Sequence, residues 1–267
     1  MGGVTPQATL DRGIEATLRH DRRVVTASLV LVVALAWLYL WRDSTAMSDM
    51  GMAGMPMASM LPALGVAALS LTFAMWTVMM IGMMLPSAAP AILLYGTMVR
   101  RNGERGTVLP AVWIFTSGYI TAWTGFSLVA SLLQVALEQA ALVTPMVESA
   151  SNGLSAAILI AAGIYQRLPL KAACLNKCRN PLEIFVTRWR AGRGGAFRMG
   201  AELGLFCVGC CWMLMLLLFV AGVMNLVWVA LIASFVFTEK LLPAGKLASN
   251  FAGVTLILSG LVLAIKP

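Results

Sequence analysis

Long apolar runs alternate with short polar segments along this chain of 267 residues. A membrane-spanning helix needs about 20 mostly apolar residues, so each run predicts one span, and the uncharged stretch 203–237 is long enough for two. Pro86 and Pro90 lie inside the second run and predict a kinked or broken helix, because proline removes a backbone donor. The pattern therefore predicts an all-α fold, a polytopic transmembrane helix bundle of about seven spans. The runs lie at residues 24–41, 61–99, 108–137, 154–168, 203–237 and 251–265.

The basic residues are unevenly distributed among the polar segments. If the N-terminus is inside, every one of the 19 Lys and Arg residues except Arg42 and Lys266 falls in an inner segment. Cytoplasmic loops of membrane proteins are enriched in Lys and Arg. We therefore expect N-in/C-out topology in a multi-pass membrane protein. The inner segments are 1–23, 100–107, 167–202 and 239–248.

The amino-acid composition argues against several classes of function. The chain is 60% hydrophobic and 11% charged, whereas soluble domains carry roughly 25% charged residues, so its main partner is expected to be the lipid bilayer. The net charge of +8 does not indicate nucleic acid, because the basic residues lie in short loops. The single histidine is His20, which leaves no Ser/His/Asp set, and we expect no enzyme. Glu202 and Glu239 stand at span ends and are expected at the membrane interface.

Methionine is concentrated in the first predicted outer loop, residues 42–60. Six methionines occur within residues 47–60 among Gly, Ala and Ser, without the Leu and Val that accompany Met in a packed core. Thioether sulfur is a soft ligand that selects copper(I), and it has no proton to lose. The loop therefore predicts metal capture outside the membrane, and the other interpretation is a flexible linker. The candidate ligands are Met50, Met52, Met55 and Met57.

A second methionine cluster lies in the second span, just before Pro86. Successive helical residues advance by 100°, so the five methionines of this cluster cover about half of the helix circumference: Met75, Met79, Met80, Met83 and Met84. They would line a metal path through the bilayer, although Met is also a common filler of irregular packing. The candidates for this path are Met79, Met80, Met83 and Met84.

All five cysteines fall in the inner half of the predicted topology. Cys207, Cys210 and Cys211 are spaced i, i+3 and i+4, so a helix places them on one face. Cys174 and Cys178 lie four residues apart in the preceding inner loop. In a reducing cytoplasm clustered thiols indicate a metal or redox site rather than disulfides, and thiolate is a good ligand for copper(I) or zinc. The alternative is that these cysteines act as small apolar packing residues.

These observations divide the chain into four parts. Residues 1–23 are a predicted cytoplasmic N-terminal tail, and 24–41 form the first transmembrane helix. Residues 42–60 form the Met-rich outer loop, and 61–267 form a membrane-embedded metal-binding domain.

Several motifs of this domain resemble a bacterial family described only as predicted metal-binding integral membrane proteins. The resemblance covers roughly residues 70–265 and implies that the second-span methionines and the five cysteines belong to recurring family motifs. The Met-rich loop precedes the matching region. The motifs are Trp76–Ser87, which contains MMIGMMLPS, then Pro169–Leu175 with Cys178 and Arg179, Arg198–Gly200, Cys207–Trp212 with its CVGCCW sequence, Met224 and Asn225, and Glu239–Pro243.

Together with this resemblance, the pattern predicts a copper(I)-binding, multi-pass protein of the bacterial inner membrane. It captures metal through outer Met residues and passes it to inner Cys residues, for transport or delivery. Its expected partners are a copper chaperone, a cuproenzyme or a larger membrane complex. Zinc is the alternative metal. One alternative function is a thiol redox membrane protein that exchanges electrons with a quinone or a partner disulfide. Another is an accessory subunit of a larger membrane complex without bound metal.

Overall fold

A computed structural model describes residues 6–49, 57–102, 108–143, 151–223, 225–242 and 245–265. Ten α-helices account for almost all of these residues, and no β-strand occurs among them. The all-α prediction is therefore confirmed for the described part of the chain. The helices are α1 (Pro6–Asp49), α2 (Met57–Arg101), α3 (Val108–Gln139), α4 (Asn152–Arg167), α5 (Pro169–Arg179), α6 (Pro181–Thr187), α7 (Gly192–Leu216), α8 (Leu218–Ala221), α9 (Leu226–Leu241) and α10 (Gly245–Ile265).

Within these described residues, five helical stretches are long and apolar enough to cross a membrane. Helices α4 and α5 also meet the criterion together, but a 64° bend at Leu168 makes them a broken span or a re-entrant segment. Helix α9 has 16 residues, fewer than the roughly 20 that a span needs. The predicted count of seven spans therefore stays a prediction. The five stretches are Arg22–Thr45, Leu69–Arg101, Val108–Gln139, Gly192–Ala221 and Leu247–Ile265.

Helices α1 and α2 extend beyond the apolar runs that predict them. Helix α1 begins within the predicted tail, at Pro6, and continues to Asp49. Helix α2 begins at Met57, so residues 50–56 alone separate the two helices. Of the candidate outer ligands, Met57 is the first residue of α2, while Met50, Met52 and Met55 lie outside the described residues.

The prolines of the second run do not break α2, which is continuous through Pro86 and Pro90. Prolines are tolerated in membrane helices where neighbouring groups satisfy the freed backbone. The part of the prediction that expected a broken span is therefore wrong, because α2, which packs against α1 and α3, stays helical through both prolines.

Glycines allow two helix pairs to approach closely. A Cβ atom added to Gly200 of α7 would overlap the backbone of Phe115 in α3, and one added to Gly204 would lie 2.7 Å from the Ala122 side chain. Small residues four apart permit this contact in membrane helices. Gly163 in α4 meets the backbone of α10 in the same way. Helix α7, which carries three cysteines, is therefore held directly against α3.

Candidate metal centre

Three cysteines converge on one face of α7. The Sγ atoms of Cys207, Cys210 and Cys211 all lie within 4.8 Å of one another, and this is the one such group of His, Cys, Asp or Glu found among the described residues. The Sγ atoms of Cys210 and Cys211 are 3.2 Å apart. Each of the three side chains is at most 1% exposed. We call these residues the thiol group; it has the geometry that the i, i+3, i+4 spacing predicts.

A fourth thiol reaches this group from α5. The Sγ of Cys178 lies 4.0 Å from that of Cys210. Metal–sulfur bonds of about 2.3 Å, as at zinc, place ligand sulfurs roughly 3.8–4.6 Å apart. Cys178 and Cys210 are therefore already at the separation of two ligands of one ion. Pro169 is the first residue of α5, and the bend before it turns α5 toward α7.

Cys174 occupies a different position, although it also lies on α5. A Cβ atom added to Gly209 would lie 3.0 Å from the Cys174 Sγ, so this thiol packs against the glycine of α7. Gly209 is one or two residues from Cys207, Cys210 and Cys211 and therefore faces another side of the helix. The structure thus brings Cys178, but not Cys174, into contact with the thiol group. All five cysteines are free thiols.

Two polar side chains contact Cys207 and a third contacts one of them, and sequence reasoning assigned none of the three to the site. The Lys240 ammonium lies 2.9 Å from the Cys207 Sγ and donates to the Ser87 hydroxyl at 3.0 Å. The Tyr119 hydroxyl lies 3.0 Å from the same sulfur. A nearby cation stabilises the negative charge of a thiolate. These residues come from α9, α2 and α3, and no spacing along the chain indicates that they meet.

The second-span methionines lie in the core of the bundle. The side chains of Met79, Met80, Met83 and Met84 are each at most 1% exposed. The end of this run lies near the thiol group, because Tyr119 contacts both the Met84 carbonyl and Cys207. A metal path and ordinary packing both require burial, so the role of the four side chains as ligands stays a prediction.

A second buried polar cluster lies beside the thiol group. The Lys171 ammonium pairs with the Glu239 carboxylate and also contacts Gln166, and Lys171 and Glu239 are 1% and 0% exposed. The position of Glu239 at the membrane interface stays a prediction, and the structure adds that its carboxylate is the partner of a buried lysine. Lys171 and Lys240, counted above among loop cations, are both buried.

The arrangement provides clustered sulfur ligands, one adjacent cation and shielding from water. Thiolate ligands select soft ions such as copper(I) and zinc. The described members of the group include neither carboxylate nor imidazole, so the site lacks the oxygen ligands that hard cations prefer.

Comparison with known families agrees with this chemistry. A family model for PpoB2, described as a copper chaperone, matches residues 73–263. The matched region includes all five cysteines and the second-span methionines, whereas the methionines of residues 47–60 precede it. Neither the curated proteins nor the solved structures give a significant match. The match covers well over half of the chain, and the protein belongs to the PpoB2 family of copper chaperones.

Proposed function

We propose that this protein is a membrane-embedded chaperone that holds copper(I) between the thiols of Cys207, Cys210 and Cys211 and passes it to an acceptor. Cys178 is the fourth ligand, supplied by α5. The observation that carries the proposal is the convergence of three buried Sγ atoms within 4.8 Å in a chain of a copper chaperone family.

The ligand set favours copper in its monovalent state. Copper(I) is a soft ion that thiolates bind strongly. It needs only two or three such ligands, so the group with Cys178 has a surplus sulfur. A surplus ligand allows stepwise exchange, because an incoming acceptor thiol can replace one sulfur while the others still hold the ion.

The membrane location and direction of transfer are part of the proposal. The long apolar helices support a membrane location, and the asymmetry of basic residues supports the proposed N-in/C-out arrangement of seven spans, with the thiol group near the cytoplasmic side. A reporter that fluoresces only in the cytoplasm is expected to be bright when inserted at residues 190–196 and silent when fused after Pro267. A bright C-terminal fusion would contradict the N-in/C-out arrangement.

Methionines are proposed to supply this site from the outer face. Met50, Met52, Met55 and Met57 would capture copper(I), and Met79, Met80, Met83 and Met84 would relay it toward the thiols. The rise in copper(I) affinity from thioether to thiolate favours this direction. Replacing the four outer methionines with Leu is expected to reduce cellular copper accumulation at limiting copper while the purified protein keeps its affinity. Unchanged accumulation would make the segment a linker.

The central test removes the thiol group. The triple variant Cys207→Ser, Cys210→Ser, Cys211→Ser is expected to lose tight copper(I) binding while it still folds, because serine is nearly isosteric with cysteine. Copper(I) retention is measured against a competing chelator under reducing conditions, with thermal unfolding in detergent as the folding control. If the triple variant holds copper as tightly as the parent, the proposal fails and the accessory-subunit interpretation replaces it.

A further inference from the structure

Lys240 is a buried cation whose ammonium faces the thiol group. It is 6% exposed, and its contacts go to the Cys207 sulfur at 2.9 Å and the Ser87 hydroxyl at 3.0 Å. In the described part of the chain, Lys240 forms no ion pair with a carboxylate. A buried charge is costly unless it is compensated, so its natural countercharge is the thiol group itself.

The charge of a loaded site depends on the ion. One monovalent ion bound by two thiolates carries a charge of −1, which the Lys240 ammonium neutralises. A divalent ion with the same ligands is neutral and leaves the Lys240 charge uncompensated. For any number of thiolates, the divalent complex is one unit more positive than the monovalent one. A cation within hydrogen-bond distance therefore stabilises the monovalent complex more than the divalent complex. The difference is larger in a buried site than in water, because the effective dielectric constant is lower there.

We propose that Lys240 sets the charge preference of the thiol group, so that a monovalent soft cation such as copper(I) is favoured over a divalent one such as zinc. This inference rests on the proposed function, because it requires the thiols to bind metal. It assigns Lys240 as a specificity-determining residue that does not coordinate the ion. The ligands make the site soft, and the lysine selects among soft ions by their charge.

The ratio of copper(I) affinity to zinc affinity tests this assignment. The metal-free protein is common to both measurements, so its protonation state cancels and the ratio depends on the loaded sites alone. Lys240→Gln is expected to lower the ratio by at least about tenfold, because Coulomb energies at such distances exceed the 1.4 kcal/mol that equals a factor of ten. Lys240→Arg keeps the charge and is expected to preserve the ratio. Each affinity is measured with the purified full-length protein against a competing chelator.

Two further variants separate charge from structure. Ser87→Asp places a carboxylate beside Lys240 without deleting it, and should lower the ratio in the same direction even if Lys240→Gln fails to fold. Tyr119→Phe removes an uncharged group at 3.0 Å from the same sulfur, and should change both affinities together.

The outcomes distinguish the inference from the function on which it rests. An unchanged ratio in both folded Lys240→Gln and folded Ser87→Asp overturns the role of Lys240, while cysteine-dependent copper(I) binding by the parent still supports the proposed function. A parent protein that does not bind copper(I) through its cysteines removes the proposed function itself.

Discussion

Two buried lysines lie close to the end of α9, where Lys171 of α5 meets Glu239 and Lys240 is the next residue, and their partners differ. Lys171 of α5 pairs with the Glu239 carboxylate and contacts Gln166 and Ser249. Lys240, the next residue after Glu239, contacts a cysteine and a serine instead. One cation is therefore compensated by a permanent anion, and the other by a group whose charge changes when metal binds.

This difference separates a structural ion pair from a functional one. A lysine with a carboxylate is neutral as a pair in every state of the protein, so it stabilises one packing of α5, α9 and α10. A lysine beside thiols faces a group whose charge changes when a metal ion binds or leaves. The Lys171–Glu239 pair therefore stabilises the fold, whereas Lys240 responds to the charge of the metal ion that the thiol group binds.

The largest expected effect comes from breaking the structural pair. Glu239→Gln leaves Lys171 buried without a countercharge, and such losses cost about 3–5 kcal/mol. A large drop in thermal stability in detergent is the expected measurement. The matched control is Glu183→Gln, because the Lys177–Glu183 pair at 2.8 Å has side chains that are 40% and 54% exposed, and exposed pairs contribute about 0–1 kcal/mol. Equal losses in the two variants would contradict the structural role of Glu239.

A smaller effect, on copper(I) affinity rather than on stability, distinguishes the two cysteines of α5. Cys178→Ser removes a sulfur that lies 4.0 Å from Cys210 and is expected to weaken copper(I) binding by about fivefold, less than the 1.4 kcal/mol of a tenfold change, because the three thiols of α7 still hold the ion. Cys174→Ser changes a thiol that packs on Gly209 and is expected to leave affinity within about twofold. Chelator competition measures both. A larger loss for Cys174→Ser would show that α5 presents its other thiol to the ion.

The smallest effects concern the serines beside the two lysines. Ser87→Ala and Ser249→Ala each remove two buried hydrogen bonds, one of them to a lysine, and a typical bond contributes about 1 kcal/mol to stability. Only Ser87→Ala is expected to change copper(I) affinity as well, because Ser87 contacts Lys240 whereas Ser249 contacts Lys171 and Glu239. Paired unfolding and chelator-competition measurements compare them. An equal change in copper affinity would mean that the two lysine clusters act as one.

The convergence of the thiols was predictable, whereas their surroundings were not. Cys207, Cys210 and Cys211 belong to one helix, so their relative positions follow from the helical repeat alone. The contact of Lys240 with Cys207 joins residues 33 positions apart on different helices. Nothing in the local pattern distinguishes it from a loop cation, because it stands in a short segment with other polar residues.

The sequence also could not predict which cysteine of α5, Cys174 or Cys178, reaches the thiol group. The two are one helical turn apart, and the sequence offers no reason to prefer either. The bend of 64° between α4 and α5 and the small volume of Gly209 decide which thiol faces the group.

Local sequence is enough to predict that the chain is helical and apolar, and that three thiols share one face of α7. These properties depend on residues within one turn of each other or on the hydropathy of a single run. The packing of the helices was needed to show that Glu239 pairs with Lys171, that Lys240 faces Cys207, and that α2 continues through its prolines. The physical reason is that these features arise where separate helices meet, and the close approach of α7 to α3 and α5 at glycines sets which side chains come within bonding distance.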